Sequence, residues 1–136
     1  MKNLFLIFLI ISTAAFSCKD KTLSSNSNQD ENIVQGTTAD FKTATENANV
    51  QLIDVRTHRE YAGGHLKNAK NIDFKNKNFL QQIKKLDKNK SVYLYCRSGR
   101  RSGLAARQLA QEGFSKIYNL DGGILQWNKE NLPIKK

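Results

Sequence analysis

Two kinds of apolar pattern alternate along the chain. Short continuous apolar runs predict buried strands at residues 50–55, 91–95 and 116–120, with shorter edge strands at residues 33–34 and 71–72. Segments with apolar residues three or four positions apart predict helices between them, over residues 38–47, 78–86, 102–112 and 122–132. This alternation predicts an α/β fold of three layers, a central, mostly parallel sheet covered by helices on both faces.

Signals at the helix ends sharpen two of these boundaries. Asn78 precedes the apolar positions of its helix and has a side chain that can cap the first turn. Gly113 follows the helix over residues 102–112, and glycine readily adopts the backbone conformation that ends a helix.

The first 17 residues have the pattern of a signal peptide. Lys2 precedes an apolar run at residues 4–11, and small residues then lead to Cys18. The run is shorter than the roughly 20 residues that span a bilayer. Small residues ending in a cysteine resemble a bacterial lipoprotein signal, which implies that Cys18 is lipidated and becomes the new N-terminus. The alternative is an ordinary cleaved signal with Cys18 left as a thiol.

Residues 18–32 are polar and contain one large apolar residue, Leu23, so they predict a flexible tether rather than a folded unit. Residues 33–136 form the predicted globular domain. The lipoprotein resemblance implies an exported protein, lipid-anchored to a bacterial membrane, with its domain facing the periplasm or the cell surface.

The chain is strongly basic, with a formal net charge of +10. Eight lysines lie between Lys67 and Lys90, but no stacking aromatic residues or nucleic-acid motif accompany them, so we interpret them as a solvated face and expect no nucleic-acid partner. The two histidines, His58 and His65, lack a third ligand at metal-site spacing, and no metal site is expected.

The chemistry concentrates around Cys96, one of only two cysteines. It follows a predicted buried strand and precedes a loop with Gly99 and then a helix. The N–H groups of such a loop can surround an anion, and the helix N-terminus adds partial positive charge. Nearby arginines also favour a thiolate, which predicts a nucleophilic sulfur. The alternative is a buried cysteine beside an exposed arginine cluster.

A second polar segment converges on this loop. Asp54 and Arg56 lie at the end of another predicted strand. In open parallel sheets, ligands bind beyond the carboxyl ends of the strands, so residues 54–56 and 96–98 are expected on one rim.

Three motifs in order across residues 36–132 resemble the rhodanese family. They are Leu52-Ile53-Asp54-Val55-Arg56 followed by Glu60-Tyr61, Gly64-His65-Leu66 and Ala69-Lys70-Asn71-Ile72; Cys96-Arg97-Ser98-Gly99-Arg100-Arg101-Ser102; and Asp121-Gly122-Gly123-Ile124 with Trp127. The resemblance implies a rhodanese-like fold and transfer of sulfane sulfur through a persulfide on Cys96, without a metal or organic cofactor.

The resemblance also assigns the surrounding residues. Cys96 would carry the sulfur, and the substrate-binding loop would comprise Arg97, Ser98, Gly99, Arg100, Arg101 and Ser102. Arg100 departs from the small or polar residues common at its position and makes the loop more basic. Four residues lie in the first motif and would either fix the active loop or serve the fold alone: Asp54, Arg59, Glu60 and His65.

The implied partners are a small anionic sulfur donor, such as thiosulfate or a polysulfide, and an acceptor: cyanide, a small thiol or a protein thiol. One alternative is a rhodanese-fold phosphatase or arsenate reductase. A phosphatase loop needs its arginine one position later than Arg101, where this chain has Ser102, and the shorter loop suits one terminal sulfur better than a tetrahedral oxyanion. Another alternative is a non-catalytic binding module, although such modules usually lack the loop cysteine.

Overall fold

A five-stranded parallel sheet forms the centre of the computed structural model, which describes residues 31–136. The strands are β1 (Ile33–Gly36), β2 (Gln51–Asp54), β3 (Lys70–Asn71), β4 (Val92–Tyr95) and β5 (Ile117–Leu120). Their order across the sheet is β1-β5-β4-β2-β3, and every pair is parallel. The predicted strands are confirmed, and β4 lies in the middle of the sheet.

Helices cover both faces of this sheet, as expected for a three-layer fold. They are α1 (Thr38–Ala44), α2 (His58–Ala62), α3 (Phe79–Ile83), α4 (Arg100–Gln111) and α5 (Gly123–Lys129). Leu52 and Ile53 of β2 belong to different apolar clusters, because successive side chains of a strand point to opposite faces. One cluster contains buried residues of α3 and α4, and the other contains Phe41 of α1 and Trp127 of α5.

The helix ends agree with the sequence in one case and differ in another. Gly113 has φ +90°, and the Phe114 N–H donates to the Leu109 carbonyl at 3.1 Å, so the predicted stop is confirmed. The prediction for Asn78 is wrong, because its side chain makes no capping hydrogen bond. Its backbone is not extended there, and the Asn76 side chain instead accepts from the Asn78 N–H at 2.8 Å.

The signal peptide, Cys18 and the tether predicted at residues 1–32 lie almost wholly outside the described residues, and their assignment stays a prediction. Among residues 31–136, none of the helices has the length and apolar character needed to cross a membrane.

Candidate functional site

Cys96 lies directly after β4, at the carboxyl end of the central strand. Its side chain is 1% exposed and forms no disulfide. The loop after it curls back, so that the Gly99 N–H donates to Cys96 Sγ at 3.2 Å. The sulfur therefore lies among backbone N–H groups of the loop that follows it.

This environment lowers the pKa of the Cys96 thiol below its ordinary value. Burial acts in the opposite direction, because it disfavours a charged sulfur. The Ser102 hydroxyl, which also lies 3.2 Å from the Gly99 carbonyl oxygen, and the N–H groups of Ser102, Ser98 and Gly99 together outweigh that cost. The arrangement therefore favours a thiolate in a site with little solvent.

Gly99 makes the tight turn possible. It precedes the first residue of α4 and has φ +91°, a conformation that other residues adopt only with strain. A Cβ atom at this position would also lie 3.2 Å from the Leu120 carbonyl oxygen. The buried Asn119 side chain donates to the Gly99 carbonyl at 3.3 Å and so ties the turn to β5.

The N-terminus of α5 holds the other side of the loop. The N–H groups of Ile124 and Leu125 donate to the carbonyls of Cys96 and Arg97 at 2.9 and 3.1 Å. A Cβ atom on Gly123 would lie 2.6 Å from both carbonyl oxygens, so only glycine permits this approach. Sequence reasoning assigned no such role to Gly123, although the paired glycines at 122–123 mark a close backbone approach.

One loop arginine, Arg101, forms an ion pair with Glu60. Arg101 binds Glu60 through two hydrogen bonds, of 2.8 and 2.7 Å. The Arg101 guanidinium lowers the pKa of Glu60 to about 2, with burial opposing it and Thr57 contributing in the same direction. Thr57 caps α2 and is hydrogen-bonded to the Glu60 carboxylate, so this helix positions the partner of Arg101.

The other loop arginines are available to a ligand. Arg97 and Arg100 are exposed, and neither forms an ion pair with any residue in the range 31–136. Ser98 is also exposed, whereas Ser102 is buried beside the sulfur. The predicted loop thus divides into groups that hold the sulfur and groups that face solvent.

Of the four residues in the first motif, only Glu60 bonds to the Cys96 loop. Asp54 is fully buried and pairs with Arg56 at 2.6 Å, while Arg56 also donates to the Gly64 carbonyl at 2.7 Å. His65 Nδ1 lies 3.1 Å from the Tyr61 carbonyl. Arg59 is exposed, and no hydrogen bond joins it to the loop within the part of the chain described. The arrangement of Asp54 and His65 favours the fold role left open by the sequence.

An open side cleft of about 410 Å³ borders the loop at Arg97. The lining includes Arg59, Glu60, Arg97, Ile124, Leu125 and Ile134. Across residues 31–136, no three His, Cys, Asp or Glu side chains are grouped so that they could hold a metal ion.

Residues 37–130 of the chain match the protein family that is described as "Rhodanese-like domain". Among similar proteins, the uncharacterized protein YqhL of Bacillus subtilis is 44% identical over 77 residues, 57% of this chain and 60% of that protein. The tRNA uridine(34) hydroxylase of Cytophaga hutchinsonii is 38% identical over 95 residues, 68% of this chain and 30% of that protein. The chain thus spans less than two thirds of the length of either relative.

Two further similar proteins have names that state an activity. The thiosulfate sulfurtransferase GlpE of Shewanella oneidensis is 33% identical over 87 residues, 64% of this chain and 84% of that protein. The solution structure of a polysulfide-sulfur transferase homodimer from Wolinella succinogenes is 32% identical, with a TM-score of 0.64 over 79% of this chain and 82% of that one.

Proposed function

Because this chain belongs to the rhodanese family, we propose that it is a sulfurtransferase that moves sulfane sulfur from an anionic donor to a thiophile through a persulfide on Cys96. The observation that carries this proposal is the buried sulfur held in a ring of N–H groups, with a lowered thiol pKa. A thiolate is the nucleophilic form of cysteine, and the same donors can hold the negative charge of a persulfide.

The reaction has two steps. The Cys96 thiolate attacks the outer sulfur of a donor such as thiosulfate, forming a new S–S bond. The bond between the two donor sulfurs breaks, and sulfite leaves with its electron pair. In the second step a thiophile attacks the outer sulfur of the persulfide, and Cys96 leaves as the thiolate. Arg97 and Arg100 supply the positive charge that attracts the donor.

The ion pair of Arg101 weighs against a phosphatase. In a cysteine phosphatase the loop arginine must hold the oxygens of a tetrahedral anion. The two terminal nitrogens of Arg101 instead bond to Glu60, and position 102 is a buried serine. The ring from Cys96 to Arg101 therefore favours a single terminal sulfur. The relatives named for thiosulfate and polysulfide transfer support the same substrate class.

The acceptor is cyanide, a small thiol or the thiol of a partner protein. We also propose that the protein is exported and lipid-anchored through Cys18, so that the domain acts at a bacterial membrane. The support is the sequence of residues 1–18.

Intact-mass measurement tests the proposed reaction. Thiosulfate should add one sulfur, about 32 Da, to the protein, and cyanide should remove it as thiocyanate. Cys96→Ser should abolish both changes. An unchanged mass in the wild type would refute sulfur transfer. A binding module would instead keep its partner after Cys96 is alkylated.

A further inference from the structure

The side cleft is larger than the proposed inorganic substrates require. Its volume of about 410 Å³ falls within the roughly 300–1,000 Å³ of pockets that hold organic ligands. The cleft adjoins the sulfur-carrying loop, because Arg97 lines it and the N–H groups of Ile124 and Leu125 bond to the loop carbonyls. A ligand bound there would contact Arg97, the residue that follows Cys96.

The fixed charges of the cleft favour an anion. Arg56 is neutralised by Asp54, and Glu60 is neutralised by Arg101. Arg59 and Arg97 also line the cleft, are exposed, and form no ion pair within residues 31–136. Two guanidinium groups are therefore left uncompensated, and guanidinium binds carboxylates through paired hydrogen bonds.

Part of the lining is apolar, and some of it comes from outside the matched family region. Leu125 is 46% exposed and Ile134 is 37% exposed, a large exposure for side chains of this type. Ile134 follows the family match, which ends at residue 130. The tail is fixed there, because His65 and Lys135 exchange backbone hydrogen bonds of 2.9 and 2.7 Å and Trp127 donates to the Pro133 carbonyl.

We propose that the side cleft binds the sulfur acceptor, and that this acceptor is an organic thiol that carries a carboxylate and an apolar segment. Arg59 and Arg97 bind the carboxylate, while Leu125 and Ile134 contact the apolar segment. The inference rests on the proposed function. A compact polar donor gains nothing from an apolar wall, which assigns the cleft to the second step of the reaction.

That step balances without any further reactant. The acceptor thiol passes its proton to the outer sulfur of Cys96–S–S⁻, the thiolate that results attacks this sulfur, and a new S–S bond forms. The bond between the outer sulfur and Cys96 Sγ breaks, and its electron pair stays on Sγ as the thiolate. The proton remains on the transferred sulfur, so the acceptor leaves as a persulfide.

Discharge kinetics with matched thiols test the proposal. The purified full-length protein is loaded with thiosulfate, freed of donor, and mixed with 6-mercaptohexanoate, 6-mercaptohexanol, 2-mercaptoethanol or cyanide. The carboxylate thiol should discharge the persulfide about tenfold faster than the alcohol of equal length, mainly through a lower KM. This ratio should fall with salt.

Variants separate the two halves of the cleft. Arg59→Gln should bring the carboxylate-to-alcohol ratio close to 1, whereas Lys85→Gln, an exposed lysine outside the cleft, should leave it unchanged. Ile134→Ser should lower the rates of both six-carbon thiols relative to 2-mercaptoethanol. Equal rates for the acid and the alcohol in the wild type, with normal thiocyanate formation, would overturn the acceptor proposal and leave sulfur transfer intact. Failure to form any persulfide would overturn both.

Discussion

The charge on Cys96 is set by neighbours within six residues of it. The N–H groups of Ser98 and Gly99 and both polar groups of Ser102 stabilise the thiolate against the cost of burial. Arg100, which adds positive charge to the loop, is exposed. A buried hydrogen bond to an ion is worth more than an exposed charge, so Ser102 should control the sulfur more strongly than Arg100 does.

Ser102→Ala should therefore raise the pKa of Cys96. The acid limb of the pH–rate profile for persulfide formation should move to higher pH, and the rate at pH 7 should fall by roughly tenfold. Thiolate absorbance in the ultraviolet measures the titration directly. Arg100→Asn is the comparison. It should lower the rate of persulfide formation from thiosulfate by about threefold or less, and high salt should remove this difference from the wild type. A larger pKa change in Arg100→Asn than in Ser102→Ala would contradict this assignment.

At the scale of the elements, two helices hold the loop from opposite sides. The first turn of α5 bonds to the carbonyls of Cys96 and Arg97, and α2 supplies Glu60 to Arg101. The loop is thus restrained through both its backbone and a side chain. The proposed sulfur transfer needs Cys96 to keep its position through two displacement steps, so loosening either helix should affect the reaction rate as well as stability.

Gly123→Ala tests the contact of α5. The new Cβ atom would overlap the Cys96 and Arg97 carbonyl oxygens, and the position has φ +60°. We expect a loss of at least about 2 kcal/mol in unfolding free energy, together with slower persulfide formation in the fraction that stays folded. Denaturant unfolding and stopped-flow loading measure the two effects.

Gly103→Ala is the matched control for that substitution. Gly103 lies inside α4, and its nearest contact for a Cβ atom is the Asn119 side chain at an ordinary 3.5 Å. Alanine should raise stability by up to about 1 kcal/mol. Equal behaviour of the two variants would show that α5 does not restrain the loop.

The ion pair between Glu60 of α2 and Arg101 predicts that folding stability depends on pH. The folded pKa of Glu60, about 2, lies below its ordinary value of 4.5. The stabilisation from this group is therefore complete above about pH 4.5 and is lost as the pH falls toward 2. Denaturant midpoints should decline over that range, and Glu60→Gln should flatten the decline. Glu46→Gln, at an exposed carboxylate, should preserve it. An identical slope in all three proteins would contradict the prediction.

The strands could be predicted from sequence because β2, β4 and β5 are buried on both faces and appear as continuous apolar runs. The sequence predicts the start of α4 two residues late, since Arg100 and Arg101 resemble loop residues and the turn before them depends on Gly99 at positive φ. The contact of Gly123 with the loop joins residues 26 or more apart in sequence, and periodicity carries no information on such contacts. The Asp54–Arg56 pair could have been predicted from the sequence, because an aspartate side chain readily accepts from the backbone N–H two residues later.

For the whole molecule, the proposed anchor and the proposed nucleophile depend on the two cysteines of one chain, Cys18 and Cys96. An exported protein enters an oxidising compartment, where two free thiols tend to pair. If Cys18 remained a thiol on a polar tether, it could form a disulfide with Cys96 and block sulfur transfer. A thioether at Cys18 cannot exchange, so lipidation would leave Cys96 as the one reactive sulfur and require a resolving thiol from another molecule.

We therefore expect the native protein to partition into detergent and to incorporate a fatty-acid analogue in growing cells. One acyl chain binds a membrane only marginally, whereas the several chains of a bacterial lipoprotein hold it firmly, so partitioning should be nearly complete. Cys18→Ala should lose the label and remain uncleaved or mislocalised, while its domain still forms a persulfide with thiosulfate. Cys96→Ser should keep the label and lose the persulfide. An unlabelled wild type with a plain cleaved N-terminus would refute the anchor. Because the residues bonded to the Cys96 loop lie within the described range 31–136, that result would leave the proposed sulfur transfer unaffected.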